Sequence, residues 1–325
     1  MALKTRLTER LGIAHPIISA PMAMAAGGKL AAAVSTAGGL GLIGGAYGDA
    51  DWIDTQFREA GNARIGCGFI TWSMAKNPAV LDAVLARAPA AVMLSFDDPR
   101  PFAAKIRDAG VTLICQVQTL ARAREAIAAG ADIIVAQGTE AGGHAASRAT
   151  LPLVPEIVDL CQAESPDTLV LAAGGIIDGR GLAAALMLGA DGVLMGSRFW
   201  ASEEALVASG LHAAAVAASG DATLQTSTVD IIRRKDWPAD YLIRVLQNGF
   251  IDRWHGNEEA LRAAVDAEEA GYQQALASGD ADNAGVIVGE GVGLIREIAP
   301  AGDIVRSVAA EAERRLSRAG GYVVD

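Results

Sequence analysis

The chain has 325 residues, is 51% hydrophobic with only 5% aromatics, and carries a formal net charge of −11. This apolar content excludes a disordered chain, and the acidic balance, without any Lys/Arg cluster interleaved with aromatics, excludes the footprint of a nucleic-acid binder. Cys67, Cys115 and Cys161 are odd in number and outside any CxxC pair, so neither a disulfide framework nor a zinc site is expected. The start, MALKTRLTERLG, lacks an apolar h-region, and no apolar stretch of about 20 residues free of charges and glycine pairs follows it. The expectation is a soluble cytoplasmic protein that contacts no membrane, and nothing in the sequence specifies an oligomeric state.

Eight short apolar runs of strand length follow one another: PIISA (16–20), GLGLIGG (39–45), RIGCGFI (64–70), AAVMLSF (90–96), VTLICQV (111–117), ADIIVAQ (131–137), TLVLAAGG (168–175) and ADGVLMGS (190–197). Ala-rich segments of helical spacing separate them. In LARAREAIAAG, for example, Leu120, Ala123 and Ile127 share one face and Gly130 supplies the C′ stop. Strands without strict polar alternation are covered on both faces, as in parallel sheets, and eight βα units are the count of a (β/α)8 TIM barrel. An open doubly wound sheet is the alternative. GLGLIG at 39–44 matches GxGxxG, but a dinucleotide fingerprint follows a strand and opens a helix. Here KLAAAVSTAG, the helix, comes first and the glycines lead into the strand.

SEEALVASGLHAAAVAAS reads as one further helix. The stretch 223–282, with Trp237, Trp254 and dense charge, reads as a helical insertion after strand eight that closes over the barrel mouth as a lid. Residues 283–325, opening with Gly-rich AGVIVGEGVGLIREI and ending in a long helix, return to the barrel. The expected organisation is therefore a barrel over 1–222, the insertion over 223–282 and the returning segment over 283–325.

In such barrels the reacting groups sit at the C-terminal strand ends. A phosphate site there is built from the loops after strands seven and eight, where glycines let backbone N–H groups approach the oxygens. AAGGIIDGRG and LMGSRFW supply such loops on both strands. Strand six ends in QGTEAGGH, where Gly142 and Gly143 leave room for a planar ligand and His144 is the one histidine of four at the expected active face. Glu140 is read as capping the next helix or pairing with Arg148 rather than as a catalyst. His15, His212 and His255 are assigned structural or surface roles.

PIISAPMA, QGTEAGGH, AAGGI, GVLMGSRF and the closing GEGVGLI together resemble the nitronate monooxygenase family, formerly called 2-nitropropane dioxygenases, along nearly the whole chain. The same xGxEAGGH segment occurs in FMN-dependent enoyl-ACP reductases and NADH:quinone reductases. The resemblance implies an FMN-dependent (β/α)8 oxidoreductase that acts on a small-molecule substrate with O2, converting an alkyl nitronate to a carbonyl compound and nitrite. It implies Met22 and Ala23 against the flavin, and Gln137 and Gly142 on its polar edge or ribityl chain. Gly174, Gly175, Met195, Gly196 and Ser197 would hold the phosphate, and His144 would act beside the ring. The pattern differs in PMAMAAGG, where relatives carry PMAGG, in Gly68, where they carry Asn, and in the lack of aromatics before the closing glycines. An NAD(P)H-dependent FMN reductase and a catalytically silent barrel for a phosphorylated ligand are the competing readings.

Overall fold

In the computed structural model, which describes residues 3–322, eight parallel strands close around one axis. They are β1 (Ile17–Ser19), β2 (Leu42–Ala46), β3 (Gly66–Ile70), β4 (Ala91–Ser95), β5 (Thr112–Val117), β6 (Ile133–Gln137), β8 (Leu169–Ala173) and β9 (Gly192–Met195); β7 is the short strand Gly143–Ala145, outside the barrel. The hydrogen-bonded order β1-β9-β8-β6-β5-β4-β3-β2 is completed by the parallel bridge Ile18↔Leu40, so the sheet has no free edge to protect. Each sequence-expected strand is present, trimmed by one to three residues at one or both ends, and β2 also runs one residue further than expected, to Ala46.

Two apolar layers hold the barrel. Ile18, Leu42, Met93, Ile114, Val135 and Leu171 fill its interior, and Leu7 and Leu11 of the helix Arg6–Leu11 plug the end opposite the site. Outward-facing strand residues pack against the surrounding helices, including Ala123 of Leu120–Ala129, which ends at Gly130 in the left-handed conformation (φ 76°) as its sequence requires. In GLGLIG the helix Gly28–Thr36 does precede the strand, and a Cβ on Gly41 would overlap the backbone of Ala31. That glycine serves helix–strand contact, and no dinucleotide turn is formed.

The stretch 223–282 is not purely helical as expected. It holds the helices Thr228–Ile232, Gly249–Trp254 and Glu258–Ser278, but also two strands, β10 (Thr223–Thr226) and β11 (Leu242–Leu246). These form a three-stranded antiparallel sheet in the order β10-β11-β7, with Ile243 opposite His144. Val229, Ile232, Val245, Phe250, Ile251 and Leu261 give this unit a core of its own. The segment 202–219 is helical only over Ser209–Ala217, and the closing helix Ala301–Ser317 packs on the barrel helices Gly179–Met187 and Gly28–Thr36. Among the described residues no helix is long and apolar enough to cross a membrane.

Candidate active site

The C-terminal strand ends surround a cavity of about 930 Å³ including its mouth, and an adjoining space of about 440 Å³. Ala20, Gln116, Gln137, Gly142, Gly196 and Ser197 line both, so the two are continuous. Met22, Ala23 and His144 line the larger space, and Gly174 and Gly175 the smaller. Of the residues expected from sequence only Met195 is not brought to the site: its side chain, 1% exposed, points into the layer between barrel and helices. Because side chains alternate along β9, the residue after it, Gly196, is the one that faces the cavity.

The glycines have separable tasks. A Cβ on Gly196 would stand in the cavity, 3.7 Å from the Ala20 methyl and 3.9 Å from the Met22 sulfur, so its absence leaves room for a ligand. Gly174 and Gly175 take φ of 106° and 70°, a turn other residues rarely adopt. A Cβ on Gly142 would lie 2.5 Å from Gly289 N, so this glycine admits the backbone of the closing segment while it also lines the cavity. A Cβ on Gly68 would overlap the Pro21 ring, which leaves no room for a longer side chain at that position.

Polar groups bind these loops together. Glu140 accepts hydrogen bonds from Thr150 N (3.0 Å) and Thr150 Oγ1 (2.8 Å), capping the helix Thr150–Glu164, while Arg148 pairs with Glu156. Arg244, 7% exposed, donates from Nε to Thr139 O (3.0 Å) and from Nη1 to Thr223 Oγ1 (3.2 Å), and pairs through Nη2 with Glu290 (3.0 Å). It therefore ties the loop after β6, the insertion and the closing segment. Ser197 Oγ accepts from Gly289 N (2.9 Å), leaving its own O–H to direct at a ligand. Gln137 Oε1 accepts from Gln116 Nε2 (3.0 Å) and Gln118 Nε2 (2.7 Å), and its amide donates to His144 O (3.1 Å). One amide hydrogen of Gln137 remains for a ligand.

His144 is held on every side. Its Nε2 lies 3.0 and 2.9 Å from the two carboxylate oxygens of Asp230, a residue 3% exposed on the helix Thr228–Ile232. A carboxylate only accepts, so this contact assigns the proton to Nε2 and leaves the lone pair of the neutral ring on Nδ1. Trp237 stacks on the imidazole, with centroids 3.3 Å apart and planes 9° from parallel, and donates from Nε1 to Tyr47 Oη (3.0 Å). Burial lowers the His144 pKa, and the bond to Asp230, which favours the charged form, only partly opposes this. Phe96, at the end of β4, meets both rings edge-on and is held at φ +67°, a conformation costing about 1–3 kcal/mol that concentrates at functional sites.

Neither Asp230 nor Arg233, which also lines the cavity, is among the residues expected from sequence. The available signal was a carboxylate inside the apolar run TVDII, since a charge between buried aliphatics requires a partner. The aromatics missing before the closing glycines are supplied elsewhere, by Phe96, Trp200 and Trp237.

The cavity, with glycine turns at its narrow end and a tethered histidine at its wide end, has the room and the polar groups that the implied FMN requires. Comparison with known proteins agrees with this architecture. A nitronate monooxygenase of Neurospora crassa is 33% identical over 93% of this chain and 90% of its own length. The structure of FabK from Thermotoga maritima superposes with a TM-score of 0.86 at 31% identity, covering 99% of this chain and 100% of its own. A nitroalkane oxidase of Streptomyces ansochromogenes superposes at 0.79 with 27% identity, over 96% and 99%. The sequence model described as nitronate monooxygenase matches residues 4–64 and 71–311, and the chain belongs to that family of oxidoreductases.

Proposed function

We propose that the protein binds FMN at the barrel mouth and oxidises alkyl nitronates with O2 to a carbonyl compound and nitrite. The observation that carries this reading is the buried His144–Asp230 pair on the wall of a cavity that ends in glycine turns, with Arg233 on the same wall. FMN, when bound, supplies the two-electron redox chemistry and the reaction with O2. The glycine turns of 174–175 and 196 and the O–H of Ser197 hold the phosphate. Gln137 directs its free amide hydrogen at the polar edge of the ring.

The remaining groups handle the substrate. Arg233 is a permanent cation and attracts the nitronate oxygens. His144, neutral near pH 7 because burial lowers its pKa, presents Nδ1 as a base for the α-proton of a nitroalkane. Trp237 and the insertion that carries it close the mouth and exclude water, as lids do. This assigns anion binding to Arg233 and proton transfer to His144.

The similarity to FabK favours one second reading, electron transfer from NAD(P)H to an enoyl thioester or quinone. Anaerobic mixing of the FMN-loaded protein with NADH and, separately, with a nitronate decides between them. Bleaching of the flavin bands by the nitronate and not by NADH is expected. Rapid bleaching by NADH alone, with no nitrite formed from nitronates in air, would replace the oxidase reading by the reductase one.

A further inference from the structure

A second chamber opens off the main cavity. It encloses about 650 Å³ including its mouth and meets the first space at Ala23, Ala25, Trp200, Arg233 and Ile287, which line both. Its outer rim carries Met24, Leu206 and Leu276, which are 60%, 49% and 36% exposed. Three large apolar side chains converging on one opening keep ordered water at a cost that an apolar ligand would relieve. At the junction stands Arg233, half-buried, its guanidinium without a hydrogen bond or ion pair among the described residues. Its neighbours are engaged: the buried Arg244 by Glu290, and the exposed Arg234 by Asp266 and Glu269.

From this juxtaposition we infer that the chamber takes the unbranched alkyl tail of the substrate while Arg233 holds its anionic head beside His144. The inference deepens the nitronate reading, from which it takes only the charge of the head. A cation at the inner end and apolar walls leading outward are the recognition pattern of an anionic amphiphile. A short, compact nitronate would leave the chamber wet. A tail long enough to reach Leu206 and Leu276 would cover the rim.

The test uses the FMN-loaded protein and straight-chain carboxylates from acetate to decanoate, which carry the head charge but do not react, with binding read by calorimetry. Affinity should rise about fourfold for each methylene that enters the chamber and level off once the tail emerges. Leu276→Trp, on the exposed side of the helix Glu258–Ser278, should level the series at a shorter chain. Arg233→Met should weaken every member by a similar factor, about tenfold or more, because a charge-assisted contact common to all is removed.

A flat wild-type series overturns the chamber, whatever the variants do. A rising series that Leu276→Trp does not shorten overturns its location, and one that Arg233→Met does not weaken overturns the anionic head. Matching primary alkyl nitronates, assayed for nitrite, should show the same chain-length dependence in kcat/KM. If the carboxylates behave as stated and no nitronate is oxidised, the chamber stands and the proposed activity falls.

Discussion

Asp230→Asn isolates what the buried pair contributes. The amide is isosteric and keeps an acceptor near Nε2, but it removes the charge and can present an N–H to the ring instead. That inverts the tautomer, moving the proton to Nδ1 and the lone pair away from the substrate. The carboxylate stands 2.9 and 3.0 Å from Nε2, so the charge centres lie about 4 Å apart, and at an effective dielectric near 20 their attraction is about 4 kcal/mol. At 1.36 kcal/mol per tenfold this corresponds to about 10³ in the rate of a step that protonates the imidazole, inside the 10² to 10⁴ typical of acid–base help.

The assay is kcat/KM against pH for a neutral nitroalkane and for its preformed nitronate, in wild type and variant. Only the nitroalkane must lose a proton, so only its rate should fall by that factor. The acid limb of the residual activity should also move to lower pH, because Asp230 raises the His144 pKa against the larger effect of burial. Equal losses on both substrates with an unmoved limb would show that Asp230 is merely structural. His144→Ala is the poorer probe, since it leaves the Asp230 carboxylate buried without its partner and removes the ring that Trp237 stacks on, a stranded charge alone costing about 3–5 kcal/mol.

Gly196→Val should yield a folded protein that has lost its flavin absorbance, because φ at this residue is −104° and the new side chain enters the cavity; full FMN content would contradict the placement. Gly175→Val would not separate the causes, since φ is +70° there and the Cβ would face Glu140. Arg244→Met should cost about 1–3 kcal/mol of stability by unpairing Thr139 O and Thr223 Oγ1, seen as a melting point several degrees lower and weaker FMN retention. An unchanged melting point would mean the three segments hold together without it. Burial lowers the pKa of His15, His144 and His212 below the 6.5 of a free histidine, so the folded state takes up these protons less readily than the unfolded one. Their contribution is complete above pH 6.5 and lost as pH falls through the folded values, while Asp191, raised by burial, works in the opposite sense. Denaturant titrations should therefore show stability falling from pH 6.5 to about 5, above the range where the lowered carboxylates Asp98 and Asp178 protonate. A flat profile over that interval would mean that the histidines are not held neutral.

The barrel was legible because its signals are local. An eight-fold recurrence of buried apolar runs needs no knowledge of what touches what, and each run lies within a few residues of a strand. What escaped was non-local or weak. β7, β10 and β11 consist of GHA, TLQT and LIRVL, too short or too polar to show alternation, and their order comes from pairing with one another. His144 and Asp230 are 86 residues apart, and no spacing rule connects them. Gly142 shows the opposite difficulty: the sequence marks a place where backbone comes close, but it does not say that the neighbour across it is Gly289.

The two halves of the site differ in material. The barrel side is glycine turns, backbone groups and the glutamine cluster, set by β5, β6, β8 and β9 and by the loops that follow them. The proposed substrate side draws on Arg233, on the cavity wall, and on Asp230 and Trp237, which hold His144, all from one unit with its own core. His144 joins them: its carbonyl is held by Gln137 of the barrel, while its strand pairs with β11 and its ring lies between Asp230 and Trp237. On the proposed reading, a change within 223–282 should therefore alter proton transfer and anion binding while leaving the glycine turns undisturbed. The reverse holds for a change at Gly196. On the proposed reading, the side chains that would choose the substrate come from a different part of the sequence than the barrel segments that carry the glycine turns.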